Sequence, residues 1–244
     1  WLMIPYPDAR QRDFGALPGG ENSLNFDASD DDRFADVRWF VRDAVRRWDE
    51  AALPRLRLGG FYWMQEGHTA IHPPKEEGGE QWRSDDAPLM RRTAAMIHDM
   101  PSTGSLGFMW IPYNVYGHKP EHVEFVENWL AAPEAERPDV VMIQPNYYFA
   151  NWDKKRPFLD KIVNFAADHD IGVEVEFDFH MFDDEAHRRR FYDYLEAFRA
   201  NEEIYHKRPI GYYQDVADVH RMATKDELRY LYDKLFEFVK GRRE

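Results

Sequence analysis

Apolar and acidic side chains alternate with a period of two along residues 171–180, which read IGVEVEFDFH. This period is typical of a β-strand, and it places Glu174, Glu176 and Asp178 on one face. Three carboxylates on one face repel one another and cost stability when they are buried. The acids therefore lie either at a solvated surface or in a polar cavity. The apolar character of the other predicted strands favours the cavity, because a sheet of such strands is normally covered.

Five other segments have the apolar character of buried strands. They are residues 1–6, 58–66, 106–114, 140–147 and 210–214. Helical spacing of apolar residues predicts helices over about residues 32–48, 87–98, 121–131, 157–168 and 185–200. A last helix is predicted to begin at a capping box of Thr224 and Glu227 and to stop at Gly241. Long polar loops, residues 9–31 and 67–85, follow the first two strands.

Six strands that are each followed by a helix predict an α/β fold, built either as a doubly wound sheet or as a (β/α)8 barrel. Neither GxGxxG nor GxxxxGK[ST] follows any strand, so the nucleotide fingerprints of doubly wound sheets are absent. Polar and aromatic groups instead stand at the strand ends, where barrel enzymes build their sites. These groups are Tyr6, Asp8, Gln65, Glu66, Tyr113, Asn114, Gln144, Asn146, Glu176, Asp178, Gln214 and Asp215.

The sequence thus predicts a (β/α)8 TIM-type barrel of which this chain supplies six units. Because Trp1 begins inside a predicted strand, we expect the two absent units to precede it, so that these strands are the third to the eighth. Residues 1–244 are then one barrel domain that lacks its N-terminal portion. We expect the two long loops to overhang the rim at which Glu66, Asn114, Asn146 and Glu176 converge.

Composition excludes several classes of function. The 244 residues carry a net charge of −13, and no large stripe of Lys and Arg exists, which argues against nucleic-acid binding. No apolar run approaches the ~18 residues of a membrane-spanning helix. The chain has no cysteine, which excludes disulfides and thiolate chemistry. It also begins without an initiator methionine or a signal-like stretch, so we expect it to be a piece of a longer protein.

Several segments, in order along most of the chain, resemble the bacterial family DUF4855. They are IPYPD with DFG at residues 4–8 and 13–15, LGGFYWMQE at 58–66, WIPYN with Gly117 at 110–114, IQPNYYF at 143–149 and GVEVEFD at 172–178. The resemblance implies a barrel of the glycoside-hydrolase type, a carbohydrate partner and a secreted or cell-surface location. The family name itself carries no assigned reaction.

Placed in such a barrel, the strand of Glu66 becomes the fourth and that of Glu176 the seventh. This layout resembles that of many retaining glycosidases, which implies that Glu66 is the general acid/base and Glu176 the nucleophile. That mechanism needs the two carboxyl groups about 5 to 5.5 Å apart. Asp178, or Glu174 one layer deeper, would raise the pKa of the acid through like charge. Gln65 departs from the pattern, because the large retaining clan usually has Asn before its acid/base.

Aromatic and amide side chains near the strand ends are candidates for sugar binding, by stacking and by hydrogen bonds to hydroxyl groups. Core packing is the alternative for the aromatics, and turn or strand-end hydrogen bonding is the alternative for the amides. The aromatic candidates are Trp63, Trp110, Tyr113, Tyr116, Tyr147, Tyr148 and Trp152. The predicted substrate-binding set is Tyr6, Asp8, Trp63, Gln65, Tyr113, Asn114, Gln144, Asn146, Tyr147, Asp178 and Gln214.

Two other classes of function remain open. A metal-dependent hydrolase would use Asp178 and His180 with His68, His72 or His118, although no HxH or HExxH spacing occurs. A non-catalytic glycan-binding barrel would keep the groove without the chemistry. The acids at residues 30–32 lack the spacing of a calcium loop and are expected to begin a helix. We expect no cofactor and no metal ion.

Overall fold

The structure is a computed structural model that describes residues 1–67, 69–72, 82–101, 105–113, 126, 129–149 and 156–242. The chain divides into two compact units. Unit 1 contains Trp1–Ile111 and Asn128–Val140, and unit 2 contains Pro112–Glu127 and Val141–Glu244. The chain therefore passes from one unit to the other three times.

Unit 1 consists of short strands and two long helices. Its described elements are β1 (Leu2–Ile4), α1 (Asp30–Ala51), β2 (Gly60–Trp63), β3 (Thr69–His72), β4 (Trp82–Asp85), α2 (Ala87–His98), β5 (Gly107–Trp110) and a 3₁₀ turn (Glu134–Glu136). The Ser29 side chain caps α1 by accepting a hydrogen bond from the backbone N–H of Asp32. The acids at residues 30–32 occupy the first turn of α1, where the helix dipole favours negative charge, as expected.

Three parallel strands form the main sheet of unit 1, in the order β1-β2-β5. Gly60 and Gly107 are paired at the start of β2 and β5. Gly60 has a φ of 145°, and a Cβ atom there would lie 2.0 Å from the carbonyl oxygen of Gly107. Only glycine permits this backbone approach. The core on this sheet includes Ile4, Phe61, Trp63, Phe108 and Trp110, each at most 1% exposed.

A buried ion pair joins the two helices of unit 1. Arg33 on α1 and Asp86, the residue before α2, are both fully buried, with 2.7 Å between Nη2 and Oδ1. The Tyr6 hydroxyl donates to the other oxygen of Asp86 at 2.7 Å, and Arg33 Nε donates to the carbonyl oxygen of Pro7. The chain just after β1 is thereby fixed to both helices.

Unit 2 alternates strands and helices along the chain. Its described elements are β6 (Val140–Ile143), whose first residue belongs to unit 1, α3 (Arg156–Asp168), β7 (Gly172–Glu176), α4 (His180–Asp183), α5 (Glu185–Ala200), a π-helical turn (Glu203–Lys207), β8 (Ile210–Tyr213), α6 (Asp218–Thr224), a 3₁₀ turn (Asp226–Leu228) and α7 (Arg229–Gly241). Every residue of β7 is buried, which agrees with the prediction that this strand lies in a covered sheet.

The strands of unit 2 are also parallel, in the order β6-β7-β8. A parallel bridge between Tyr113 and Gln144 lies within the same unit, just beyond the ends of β5 and β6. Strand order follows chain order in both units, with a helix after β1, β6, β7 and β8. The α/β class predicted from the sequence is confirmed, with six parallel strands.

Two local predictions differ from the structure. The predicted loop over residues 67–85 contains the antiparallel pair β3 and β4, whose four-residue strands are too short to show a period. The predicted capping box is wrong, because Thr224 closes α6 by donating its hydroxyl to the carbonyl oxygen of His220. Leu228 precedes α7 instead, and no side chain caps that helix. Most of the predicted helix over residues 121–131 lies outside the described residues.

None of the described helices combines the length and the hydropathy needed to cross a lipid bilayer.

Candidate active site at the strand ends

The acidic strand β7 ends at a group of polar and aromatic residues in unit 2. Glu174, Glu176 and Asp178 are 8%, 2% and 8% exposed, so the predicted acidic face is buried rather than solvated. Glu174 lies farthest from the carboxyl end of β7, and its side chain lies against Gly211 of β8. Glu176 and Asp178 follow toward the carboxyl end of β7, which is the end at which α/β proteins place their sites.

Glu176 is held by donors from two elements. Its Oε1 accepts the backbone N–H of Asn146 at 2.9 Å. Its Oε2 accepts the backbone N–H of Tyr147 at 3.1 Å, a longer one from Tyr148, and the hydroxyl of Tyr194 on α5. Asn146 adopts a left-handed backbone conformation with a φ of 50°, which aims these consecutive N–H groups at the carboxylate.

Burial and hydrogen bonding act on Glu176 in opposite directions. Burial raises the pKa of its carboxyl group, because charge is disfavoured away from water, whereas the donors from Tyr194 and the 146–148 backbone favour the charged form. The pKa of Tyr194 is raised by its own burial and by the charge of Glu176. Tyr194 therefore stays protonated and remains a donor to the carboxylate.

Asp178 orients an exposed histidine. Its Oδ2 lies 2.7 Å from Nδ1 of His180, and its Oδ1 accepts the backbone N–H of His180 at 3.0 Å and the hydroxyl of Tyr148 at 2.9 Å. In the neutral imidazole, a carboxylate partner places the ring proton on Nδ1, which leaves Nε2 as the acceptor. The His180 side chain is 52% exposed. The buried Tyr148 phenol has a raised pKa, through burial and its bond to Asp178, and so stays a donor.

The other predicted site residues of unit 2 have varied environments. Tyr113 is 37% exposed, and its hydroxyl accepts a hydrogen bond from the Asn146 side chain. Tyr147 is 4% exposed and donates its hydroxyl to Asp193 at 2.7 Å, so it packs in the core. The Gln214 side-chain oxygen accepts the backbone N–H of Val219 near the start of α6. Gln144 is half-buried beside Tyr113 in the parallel bridge.

The predicted residues of unit 1 surround the ends of β1 and β2. Glu66 is exposed three residues after β2, and Gln65 accepts the indole N–H of Trp110 on its backbone oxygen at 3.0 Å. Trp63 is 1% exposed and belongs to the core. Tyr6 donates to buried Asp86, and Asp8 binds Arg10 in an ion pair. The contacts of Tyr6, Asp8 and Gln65 within unit 1 are therefore of a structural kind.

Some predicted residues lie outside the described part of the chain. They are Asn114, Tyr116, Trp152, His68 and His118. The metal hypothesis rested partly on these histidines. Within the described residues, no group of three or more His, Asp or Glu side chains is placed to hold a metal ion.

Sequence reasoning missed three exposed aromatic residues of unit 2. Phe149, Phe179 and Tyr213 are 47%, 44% and 48% exposed and follow β6, follow β7 and end β8, respectively. Tyr194 was also missed, because nothing in a helical sequence marks the one tyrosine that reaches a buried acid. A usable signal existed for the first three, since each is an aromatic residue at or just after a strand end.

Comparisons with known proteins identify a family. A family model described as "Domain of unknown function (DUF4855)" matches residues 1–237. No curated protein matches the chain. Among solved structures, the chain is similar to a psychrophilic glycoside hydrolase family 10 endo-beta-1,4-xylanase, with 10% identity and a TM-score of 0.49. The similarity covers 84% of this chain and 62% of the xylanase chain, so the chain spans less than two thirds of that protein. Because the family model covers nearly the whole chain, the protein belongs to the DUF4855 family.

Proposed function

We propose that the protein hydrolyses the glycosidic bonds of a poly- or oligosaccharide by a retaining mechanism, on a (β/α)8 barrel to which this chain contributes six strands. The observation that carries the proposal is the end of β7, where the carboxylates of Glu176 and Asp178 stand beside the exposed rings of Phe179 and Tyr213. Carboxyl groups perform the chemistry of glycoside cleavage. Aromatic rings offer flat apolar faces to a sugar.

Glu176 is assigned as the nucleophile. One of its oxygens forms a bond to the anomeric carbon while the bond from that carbon to the leaving oxygen breaks, which gives a glycosyl ester. A nucleophile must be ionised. Burial raises the pKa of Glu176 and opposes that state, whereas the donors from Tyr194 and the 146–148 backbone favour it. Among the described residues, Oε1 accepts one hydrogen bond, from the backbone N–H of Asn146, so one lone pair is left for the attack.

Glu66 is assigned as the general acid/base. It protonates the leaving oxygen in the first step and takes a proton from water in the second, when water cleaves the glycosyl ester. Its exposure after β2 supports this role, because the group has to exchange protons with substrate and water.

A second candidate function is glycan binding without catalysis. It is favoured by the burial of Glu176, which is 2% exposed and has hydrogen bonds on both oxygens. Through these hydrogen bonds Glu176 holds the segment after β6 against β7 and α5. This structural role alone explains a buried carboxylate at this position. The exposed rings would then bind sugar that is never cleaved.

Turnover of neutral oligosaccharides, with the anomer of the product read by NMR, tests the proposal. We expect hydrolysis with retained configuration, and we expect Glu66→Gln to lower kcat/KM by about 10²- to 10⁴-fold. Azide should restore turnover of this variant on substrates with good leaving groups, because azide attacks the glycosyl ester without a general base. Glu50→Gln, at an exposed acid on α1, is the matched control and should leave turnover unchanged.

Three outcomes would contradict the mechanism. An inverted product would replace the nucleophile with an activated water, and equal activity of Glu66→Gln and Glu50→Gln would remove Glu66 from the chemistry. Binding of oligosaccharides without any turnover would identify the non-catalytic alternative.

A further inference from the structure

Aromatic rings of unit 2 form a continuous series of contacts at the strand ends. Phe179 stacks on His180 with ring centroids 4.2 Å apart, and His180 stacks on His187 at 5.2 Å. His187 contacts Tyr148 edge-on at 5.2 Å. Tyr148 contacts Phe149 at 5.0 Å, and Phe149 contacts Tyr213 at 5.7 Å. We call the four exposed members, Phe149, Phe179, His180 and Tyr213, the aromatic strip.

The aromatic strip is exposed although it rests on a rigid base. Its four members leave between 44% and 52% of their surface open, whereas Tyr148 beneath them is 1% exposed. Tyr148 is fixed by its hydroxyl bond to Asp178, and Arg190 donates to the carbonyl oxygens of Tyr147 and Tyr148 just before Phe149. The exposed rings form two pairs, Phe179 with His180 and Phe149 with Tyr213, which are joined through Tyr148 and His187. Exposed apolar surface of this kind often marks a binding site, and a rigid base limits the entropy lost on binding.

The charges near the strip determine which ligands suit it. Burial raises the pKa of the Asp218 carboxyl group, Arg221 lowers it, and the nearby charges of Asp215 and Asp178 raise it, so Asp218 lies within electrostatic reach of both other acids. Asp215 is exposed two residues after Tyr213. Arg221 is paired with Asp218 at 3.1 Å. The three acids outnumber Arg221, so the charge of this group is negative and disfavours an anionic ligand.

We propose that the aromatic strip binds a neutral oligosaccharide, whose sugar rings stack on Phe149, Phe179 and Tyr213 while His180 Nε2 accepts a hydrogen bond from a sugar hydroxyl. Pyranose rings present C–H faces that match flat apolar rings, and their hydroxyl groups match the acceptor. The negative field disfavours sugars that carry carboxylates. The inference rests on the proposed function, from which it takes the class of ligand. It adds which surface binds the ligand and that the ligand is uncharged.

The test is the affinity of the protein for oligosaccharides of equal length, measured by calorimetry in the Glu66→Gln background to prevent cleavage. The neutral probes are the hexamers of glucose, xylose and mannose, and the anionic probe is the hexamer of galacturonic acid. We expect at least one neutral probe to bind and the anionic probe to bind at least about tenfold more weakly.

Variants separate stacking from other causes. Phe149→Ala and Tyr213→Ala should each weaken binding of the neutral probe by about tenfold, whereas Tyr213→Phe, which keeps the ring, should retain it. Phe236→Ala and Tyr230→Ala remove rings of similar exposure from α7 and serve as matched controls that should bind as before. Circular dichroism melting curves verify that each variant is folded.

Several results would overturn the proposal. They are no binding of any neutral probe, tighter binding of the galacturonic acid hexamer, and alanine variants that bind like the controls. Failure here is distinct from failure of the proposed function. Binding to the strip without turnover in the wild-type protein would refute hydrolysis alone, and turnover with KM unchanged in the alanine variants would refute the strip alone.

Discussion

At Glu176, one buried carboxylate connects β7, the segment after β6 and helix α5. The hydroxyl of Tyr194 and the backbone N–H groups of Asn146 and Tyr147 all donate to it. An amide in place of the carboxylate would turn an NH₂ group toward one of these donors. Replacement of Glu176 by glutamine therefore lowers the stability of the fold as well as removing the carboxylate needed for the chemistry.

Removal of the Tyr194 hydroxyl measures this connection. Tyr194→Phe should lower the free energy of unfolding by about 1–3 kcal/mol, because the buried carboxylate loses a donor. Tyr230→Phe, at a tyrosine 44% exposed, should change it by less than about 0.5 kcal/mol. Urea unfolding measures both. A double-mutant cycle of Tyr194→Phe with Glu176→Gln should give a coupling energy above about 0.5 kcal/mol, and additive effects would contradict the proposed connection.

Asp36 on α1 gives the stability of the protein a pH dependence. The residue is 8% exposed, and burial raises its pKa from 3.8 to about 6. The folded state thus holds this proton more tightly than the unfolded state. The stabilisation that results is fully present below about pH 4 and is lost as pH rises through about 6. Asp36→Asn should remove this dependence and stabilise the protein at pH 7 by at most about 3 kcal/mol.

Urea unfolding at pH 4.5 and at pH 7 checks the Asp36 prediction. Asp49→Asn, at an exposed acid on the same helix, is the matched control and should leave the difference between the two pH values unchanged. Equal pH dependence in the Asp36→Asn variant and the wild-type protein would show that Asp36 does not titrate in this range.

At the scale of elements, the buried pair of Arg33 and Asp86 fixes α1, the start of α2 and the chain after β1. Asp86→Asn should lower the free energy of unfolding by about 3–5 kcal/mol, because it removes the buried counter-charge of Arg33 and leaves the exposed Asp30, at 3.1 Å, as its acidic partner. Tyr6→Phe should cost only about 1 kcal/mol. Glu50→Gln breaks the exposed pair with Arg46 and should cost less than about 1 kcal/mol. Equal costs for Asp86→Asn and Glu50→Gln in urea unfolding would contradict the assigned role.

Elements with a clear period were predictable, and those that depend on distant partners were not. The helices at residues 87–98 and 185–200 match their predicted bounds, because apolar spacing and flanking residues mark both ends. The short hairpin strands β3 and β4 show too few residues for a period, and Thr224 has the spacing of a cap while ending a helix. Local patterns do not distinguish such cases, since the choice is made by tertiary contacts.

At the scale of the whole molecule, parallel strands in chain order explain why, within each unit, polar and aromatic residues of distant segments lie at strand ends. The sequence predicted the acids of β7 and their burial, because alternation fixes which residues share a face. It did not predict that Glu176 would be held by the backbone of residues 146–148, which depends on the left-handed conformation of Asn146. Nor did it separate core aromatics such as Tyr147 from exposed ones such as Phe149.

Covalent trapping of the wild-type protein identifies the residue that attacks the sugar. Activated 2-deoxy-2-fluoro glycosides of glucose, xylose and mannose form a glycosyl ester with a retaining nucleophile and hydrolyse slowly from it. Mass spectrometry of the digested protein then locates the label. We expect one sugar per chain, on Glu176, with slower labelling after prior saturation with a neutral hexamer. A label on another residue, or none with any of the three sugars while neutral oligosaccharides still bind, would contradict the assignment of Glu176 as the nucleophile.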